Sequence, residues 1–150
     1  QRTSAFAVSN RLNTNPTTYP DFVADTTNEG TTSVASYLTR PVVLDNTSTA
    51  LDIRLTANVR TSSEIKVFFR TSAADEVRDI NDISWTAFNS DGSEDTTVIP
   101  AENDVDFKEY KYTASSLNGF EAFQIKIIMT GTISSYPPKI RDMRGIALAL

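Results

Sequence analysis

The sequence predicts an all-β protein: an antiparallel β-sandwich of jelly-roll type with an extended N-terminal arm. Three observations lead there. Leu51, Ile53, Leu55, Ala57 and Val59 alternate with Asp52, Arg54, Thr56, Asn58 and Arg60, the period of a strand with one face in a core and the other in water. The same alternation returns at Ile65, Val67 and Phe69 and again at Phe123, Ile125, Ile127 and Met129. Turn signals separate seven or eight such segments, and helical periodicity is almost absent, which is the pattern of a sandwich.

Residues 1–32 are rich in Thr, Asn and Ser with Pro16 and Pro20. Their scattered apolar side chains bury little, so they read as an extended arm or interdomain connector, and the sandwich is assigned to 33–150. Strand signals start at Val34, and Tyr37 to Leu44 forms a strand that stops at Asp45 and Asn46. Thr61, Ser62 and Ser63 are a short turn, so Leu51 to Arg60 and Ile65 to Arg70 are expected to form an antiparallel hairpin. Asp75 to Asp82 has room for one helical turn, Trp85 and Phe88 follow, and Asp91-Gly92 marks a turn. Phe107 to Thr113 and Phe123 to Thr130 are two further strands, the second half-buried. Tyr136, Pro137 and Pro138 interrupt the chain before a last strand from Lys139 to Leu150. There Ile140, Ile146 and Leu148 share one parity, and Met143 and Ala147 take the other. A strand running to the final residue predicts a domain whose C-terminus is held in a sheet, and Gln1 in place of a methionine predicts a fragment or trimmed product.

Composition closes several routes to function. The 150 residues contain neither cysteine nor histidine, which removes disulfides, thiol nucleophiles, histidine-based triads and the usual zinc sites. The five glycines lie at least twelve residues apart, so no glycine-rich loop cradles a phosphate. No apolar run approaches the roughly 20 residues of a membrane-spanning helix. A net charge of −5 disfavours general phosphate binding. Neither nucleic acid nor membrane is therefore expected as a partner, and no cofactor is expected.

The charge is uneven. Asp75 to Glu109 holds eleven acidic and two basic residues, against eight acidic and twelve basic in the other 115. Within that acidic segment Asp91, Glu94, Asp95, Glu102, Asp104 and Asp106 are candidate calcium ligands, since hard cations take several oxygens at once. A solvated acidic loop, or an acidic face docking on a basic partner, uses the same residues. Asp104 and Asp106 are also the pair on which glycosidase chemistry would have to rest, but nothing else in the chain suggests a cleft, and an enzyme is not expected.

Basic residues on apolar strands form a second constellation of Arg54, Arg60, Lys66, Arg70, Lys126, Lys139, Arg141 and Arg144. They read either as a solvated sheet face that discourages edge pairing or as a docking face for an acidic neighbour. Lys126, Lys139, Arg141 and Arg144 are the interface candidates on this second reading. Trp85, Tyr110, Tyr112 and Tyr136, with Phe88, are candidates for an aromatic platform that binds sugars, with core packing the competing role.

Several stretches resemble the C-terminal domain of large baseplate or tail structural proteins from T4-like, contractile-tailed phages of marine bacteria, the cyanophage-like myoviruses. They run from Thr3 to Asn13, Tyr37 to Leu44, Leu51 to Leu55, Ile65 to Arg70, Phe107 to Tyr112, Phe123 to Ile127 and Tyr136 to Leu148. The resemblance implies a non-catalytic virion domain assembled in the bacterial host cytoplasm, partnered by other virion proteins, further copies of itself and upstream domains of the same polypeptide. The alternative it leaves is a carbohydrate-binding sandwich at the tail tip that recognises host surface glycans.

Overall fold

A computed structural model of the chain describes residues 35–131, 133 and 135–149; the predicted arm lies outside the described residues. The described residues form eight antiparallel strands in two sheets: β1 (Ser36–Leu38), β2 (Val42–Ser48), β3 (Ala50–Asn58), β4 (Ser63–Ser72), β5 (Thr86–Ala87), β6 (Lys108–Ala114), β7 (Phe120–Gly131) and β8 (Lys139–Leu148). The five-stranded sheet runs β1-β7-β4-β5, with β2 also on β7, and the three-stranded sheet runs β6-β3-β8. β1 takes Lys126 to Ile128 and β2 takes Phe120 to Phe123, so these two short strands share one edge of β7. The architecture is the predicted all-β, antiparallel one.

The two sheets face each other across one core. β3 contributes Leu51, Ile53, Leu55 and Ala57, and β6 contributes Tyr110 and Tyr112. β4 adds Ile65, Val67 and Phe69, and β7 adds Phe123, Ile125, Ile127 and Met129. Each set occupies alternate positions of its strand, so period-two spacing translates directly into the inner face of a sheet. Phe88, from the segment after β5, enters the same core. Its ring lies 4.7 Å from Phe69 and 5.9 Å from Tyr112, linking the two layers through tilted aromatic contacts.

The expected hairpin between Leu51–Arg60 and Ile65–Arg70 does not form. β3 pairs with β6 and β8, whereas β4 pairs with β7 and β5. The turn is real: Ser63 N donates to the Arg60 carbonyl at 2.9 Å, and Arg60 N donates to Ser63 Oγ at 2.9 Å. It carries the chain from one layer to the other, so the apolar faces of β3 and β4 oppose each other across the core. A hairpin would have set them side by side in one sheet instead.

A second correction concerns β4 and β7, whose outer faces are also buried. Phe68, Trp85 and Ile128 form a small second cluster with Ala87 on the far side of the five-stranded sheet. The covering segment includes a 3-10 turn at Ile80–Asp82, the structured part of the anticipated helical turn, and β5, which aligns Ala87 with Phe68 and Thr86 with Phe69. It then turns back through Asn89 (φ 50°) and Gly92 (φ 85°). Gly92 N donates to the Phe88 carbonyl at 2.7 Å, and Val67 N donates to the Gly92 carbonyl at 2.8 Å. A β-carbon at Gly92 would lie 3.1 Å from the Val67 carbonyl oxygen. Glycine is required there both by the left-handed backbone and by this close approach.

The parity of β8 also differs from the reading of the sequence. A register shift between Thr56 and Ala57 of β3 leaves Arg141 bulged, because Thr56 pairs with Asp142 and Ala57 with Ile140. Ile140 consequently joins Met143 and Ala147 against the core, and Ile146 and Leu148 are exposed. A one-residue bulge switches the facing of every residue on one side of it.

Candidate functional site

The charged candidates converge on one another within the chain. On the outer face of the three-stranded sheet, Arg54 lies opposite Lys111 on β6 and Arg144 on β8, a row of three cations. Two carboxylates hold it together. Glu109 takes Arg54 Nη1 at 3.1 Å and Arg144 Nη2 at 2.7 Å, while Asp52 takes Arg54 Nε at 3.3 Å. The Asp52 and Glu109 carboxylates raise the pKa of Arg54, its hydrogen bond to Asp52 being the largest cause.

At the end of the sheet the acidic loop is clamped down. Asn58 is buried and donates through Nδ2 to the carbonyls of Asn103 and Asp106, both at 2.7 Å. Arg60 donates to the Glu102 carbonyl at 2.8 Å and pairs with Asp104 at 3.2 Å, and Lys139 reaches the same Asp104 oxygen at 3.1 Å. Hydrogen bonds from Lys139 and Arg60 lower the pKa of Asp104, the former being the larger cause. Arg141 stacks on Phe107 with its guanidinium carbon 3.9 Å from the ring centroid.

The predicted interface set is thereby redistributed. Lys139 meets Asp104, Arg144 meets Glu109 and Arg141 meets Phe107, all within the chain. Lys126 is not outward at all. It is 0% exposed, with its ammonium 4.9 Å from the Trp85 ring centroid and 5.2 Å from that of Phe68. Its position on β7 alternates correctly with the core residues, but Trp85 roofs the face that it points to. Lys66 and Arg70 are buried on the same face. Arg70 Nε donates to Gln124 Oε1 at 2.8 Å and Nη1 to the Asn81 carbonyl at 2.8 Å, and its guanidinium carbon lies 4.3 Å from the Trp85 ring centroid.

The calcium candidates are scattered. Asp91 faces Lys66, and Glu94 accepts from Val98 N at 3.3 Å. Asp95 binds Thr113 through its backbone N–H at 2.9 Å and its hydroxyl at 2.8 Å. The same stretch covers β6, because Asp95 N donates to the Lys111 carbonyl at 2.8 Å. Asp106 accepts from Glu102 N at 3.3 Å and pairs with Lys108 at 3.3 Å. Among the described residues no three acidic side chains gather as a cation site. The glycosidase pair fares no better, since Asp104 is tied to Arg60 and Lys139 while Asp106 serves the loop.

The aromatic candidates are likewise dispersed. Trp85 is 2% exposed on the covered face of the five-stranded sheet, and Tyr110 and Tyr112 lie between the sheets. Burial pushes the pKa of Tyr112 well up, and that of Tyr110 upward. Only Tyr136 of the four is exposed, with Arg60 5.0 Å from its ring centroid. These side chains make no common platform for a sugar. A shallow cleft of about 200 Å³ is lined by Val59, Arg60, Glu64, Glu94 and Tyr110; it gathers neither the aromatic set nor the Asp104 and Asp106 pair.

Lys66 and Asp91 form a largely enclosed ion pair at 2.7 Å, and Ser93 N adds a hydrogen bond to Asp91 at 3.0 Å. The Lys66 bond, then the Ser93 bonds, hold the Asp91 carboxyl down at about 2. A carboxyl depressed on folding stabilises the protein above its unfolded value of roughly 3.9. That contribution is lost as pH falls through about 2. Asp91 is 35% exposed, so screening reduces the contribution to about 1 kcal/mol at pH 7. In urea titrations, Asp91→Asn is expected to lose that amount at pH 7 and to converge with wild type near pH 2. An equal deficit at both pH values would contradict the pairing.

Asn58 and Asp142 were not singled out by sequence reasoning. Asn58 occupies a position that alternation assigns to water, and its role depends on carbonyls more than forty residues away. Asp142 had a signal, being an acid amid Lys139, Arg141 and Arg144. No protein-family model, curated protein or solved structure matches the chain.

Proposed function

We propose that the chain is a non-catalytic structural domain of a phage tail or baseplate protein, located in the virion and acting through protein–protein docking. The observation that carries this reading is what remains on the surface once the charges have paired. The catalytic, metal and sugar candidates gather in no common site, while among the described residues β8 keeps one long side without a strand and presents exposed Ile146 and Leu148 beside it. Exposed strand edges are templates for pairing with another chain. The extended resemblance to virion tail proteins, from Thr3 to Leu148, supplies the setting, and multi-copy symmetric assemblies use such surfaces repeatedly.

Purified phage particles, fractionated into heads, tails and baseplates and analysed by peptide mass spectrometry, test the proposal. Peptides of this chain are expected in the tail or baseplate fraction. Their absence from particles, with the chain abundant in the infected lysate, would contradict it.

A further inference from the structure

The geometry points to a second copy of this chain as the occupant of the open β8 edge, paired antiparallel about a two-fold axis at Met143. This rests on the reading of the domain as a docking module, and it names the partner and the register.

Among the described residues β8 pairs only with β3. The Leu148 carbonyl accepts from Thr49 N at 2.8 Å and so points towards the β3 side. Backbone groups alternate sides along a strand, and Met143, Gly145 and Ala147 therefore aim theirs at the open side. No hydrogen bond to these groups from that side occurs among the described residues.

The side chains select one register. Asp142 and Arg144 both stand on the outer, exposed face, opposite Thr56 and Arg54 of β3. Asp142 makes no ion pair among the described residues, while Arg144 has one through Nη2 to Glu109. With Met143 on the axis, Asp142 of each copy lies opposite Arg144 of the other. Both are non-hydrogen-bonded pairs, in which facing side chains approach most closely. A slip of two residues sets Arg144 against Arg144 or Asp142 against Asp142. A slip of one turns inward side chains to the outer face. Lys139 is already neutralised by Asp104, which lowers the repulsion that a basic edge normally provides, and Arg144 shares Glu109 with Arg54, so its charge is only partly met within the chain. An edge charged only to stay unpaired gains nothing from an acid at the complementary position. Pairing merges two three-stranded sheets into one of six.

Sedimentation velocity on the 150-residue chain over a concentration series tests this. Wild type is expected to form a dimer that weakens with salt. Asp142→Lys and Arg144→Glu are each expected to weaken association about tenfold or more, by placing like charges opposite each other twice. An equimolar mixture of the two variants should dimerise again, because each supplies the charge that the other lacks; the double change Asp142→Arg with Arg144→Asp should dimerise alone. Association indifferent to both single changes, or no recovery on mixing, overturns the register and leaves the docking reading standing. A wild type that is monomeric throughout overturns the inference, and particle fractionation then decides the docking reading separately.

Discussion

Trp85→Ala is expected to destabilise the domain by about 3–5 kcal/mol, the usual cost of truncating a large buried aromatic. The indole packs on Phe68 and Ile128, and its face receives the Arg70 guanidinium at 4.3 Å and the Lys126 ammonium at 4.9 Å. Truncation leaves a cavity and also uncovers two cations that folding has removed from water. Buried cation–π contacts contribute further, up to about 2 kcal/mol when desolvated. Against a typical domain stability of about 5–15 kcal/mol, the loss is large. Urea denaturation of the variant measures it. Trp85→Phe serves as the control: the indole N–H has no hydrogen-bond partner among the described residues, so its removal forfeits no bond there, and the smaller ring keeps most of the roof. A deficit below about 1 kcal/mol for Trp85→Ala would place the indole at the surface and reopen the sugar-platform role.

Phe88→Ala is expected to cost about as much, roughly 3–5 kcal/mol, through the opposite side of the same sheet. Phe88 is fully buried between Phe69 and Tyr112, and its backbone N–H donates to the Val67 carbonyl at 3.1 Å. It is the point at which the covering segment is anchored into the main core. Its loss removes contacts between the two sheets and loosens the turn to Gly92, which holds the Lys66 and Asp91 pair in place. Denaturation should show a reduced midpoint, and amide exchange should quicken over 86–92 as well as in the core. A destabilisation confined to those loop amides, with the global midpoint unchanged, would contradict the anchoring role.

These two residues show where the sequence was legible and where it was not. The inner faces of β3, β4 and β7 follow from alternation alone, because a side chain's facing is set by its neighbours one residue away. The outer faces of β4 and β7 do not. Lys66, Arg70 and Lys126 sit where charged residues normally meet water, and only the return of Trp85 over the sheet buries them. The hairpin failed for a related reason: a short turn specifies a reversal of the chain, while sheet membership is decided by partners as distant as Phe123 to Gly131. The acidic segment and the basic strands are both visible in the composition. That they neutralise each other within the chain depends on the β6-β3-β8 order, which lets Arg54 on the middle strand and Arg144 on β8 both reach the Glu109 carboxylate on β6. Most calcium, sugar and interface candidates have internal roles of this kind, Tyr136 being exposed, whereas Asp142, which makes no ion pair among the described residues, lies on the exposed face amid Lys139, Arg141 and Arg144.

The proposed docking of this domain runs through the side of β8 that no strand covers among the described residues. Hydrogen–deuterium exchange of the protein, free at low concentration and within assembled tail particles, tests it most directly. The expected result is new protection in the particle at the amides of Met143, Gly145 and Ala147, with the β3 and β7 core equally protected in both states. Equal exchange of the β8 edge in the free and assembled protein would contradict the claim.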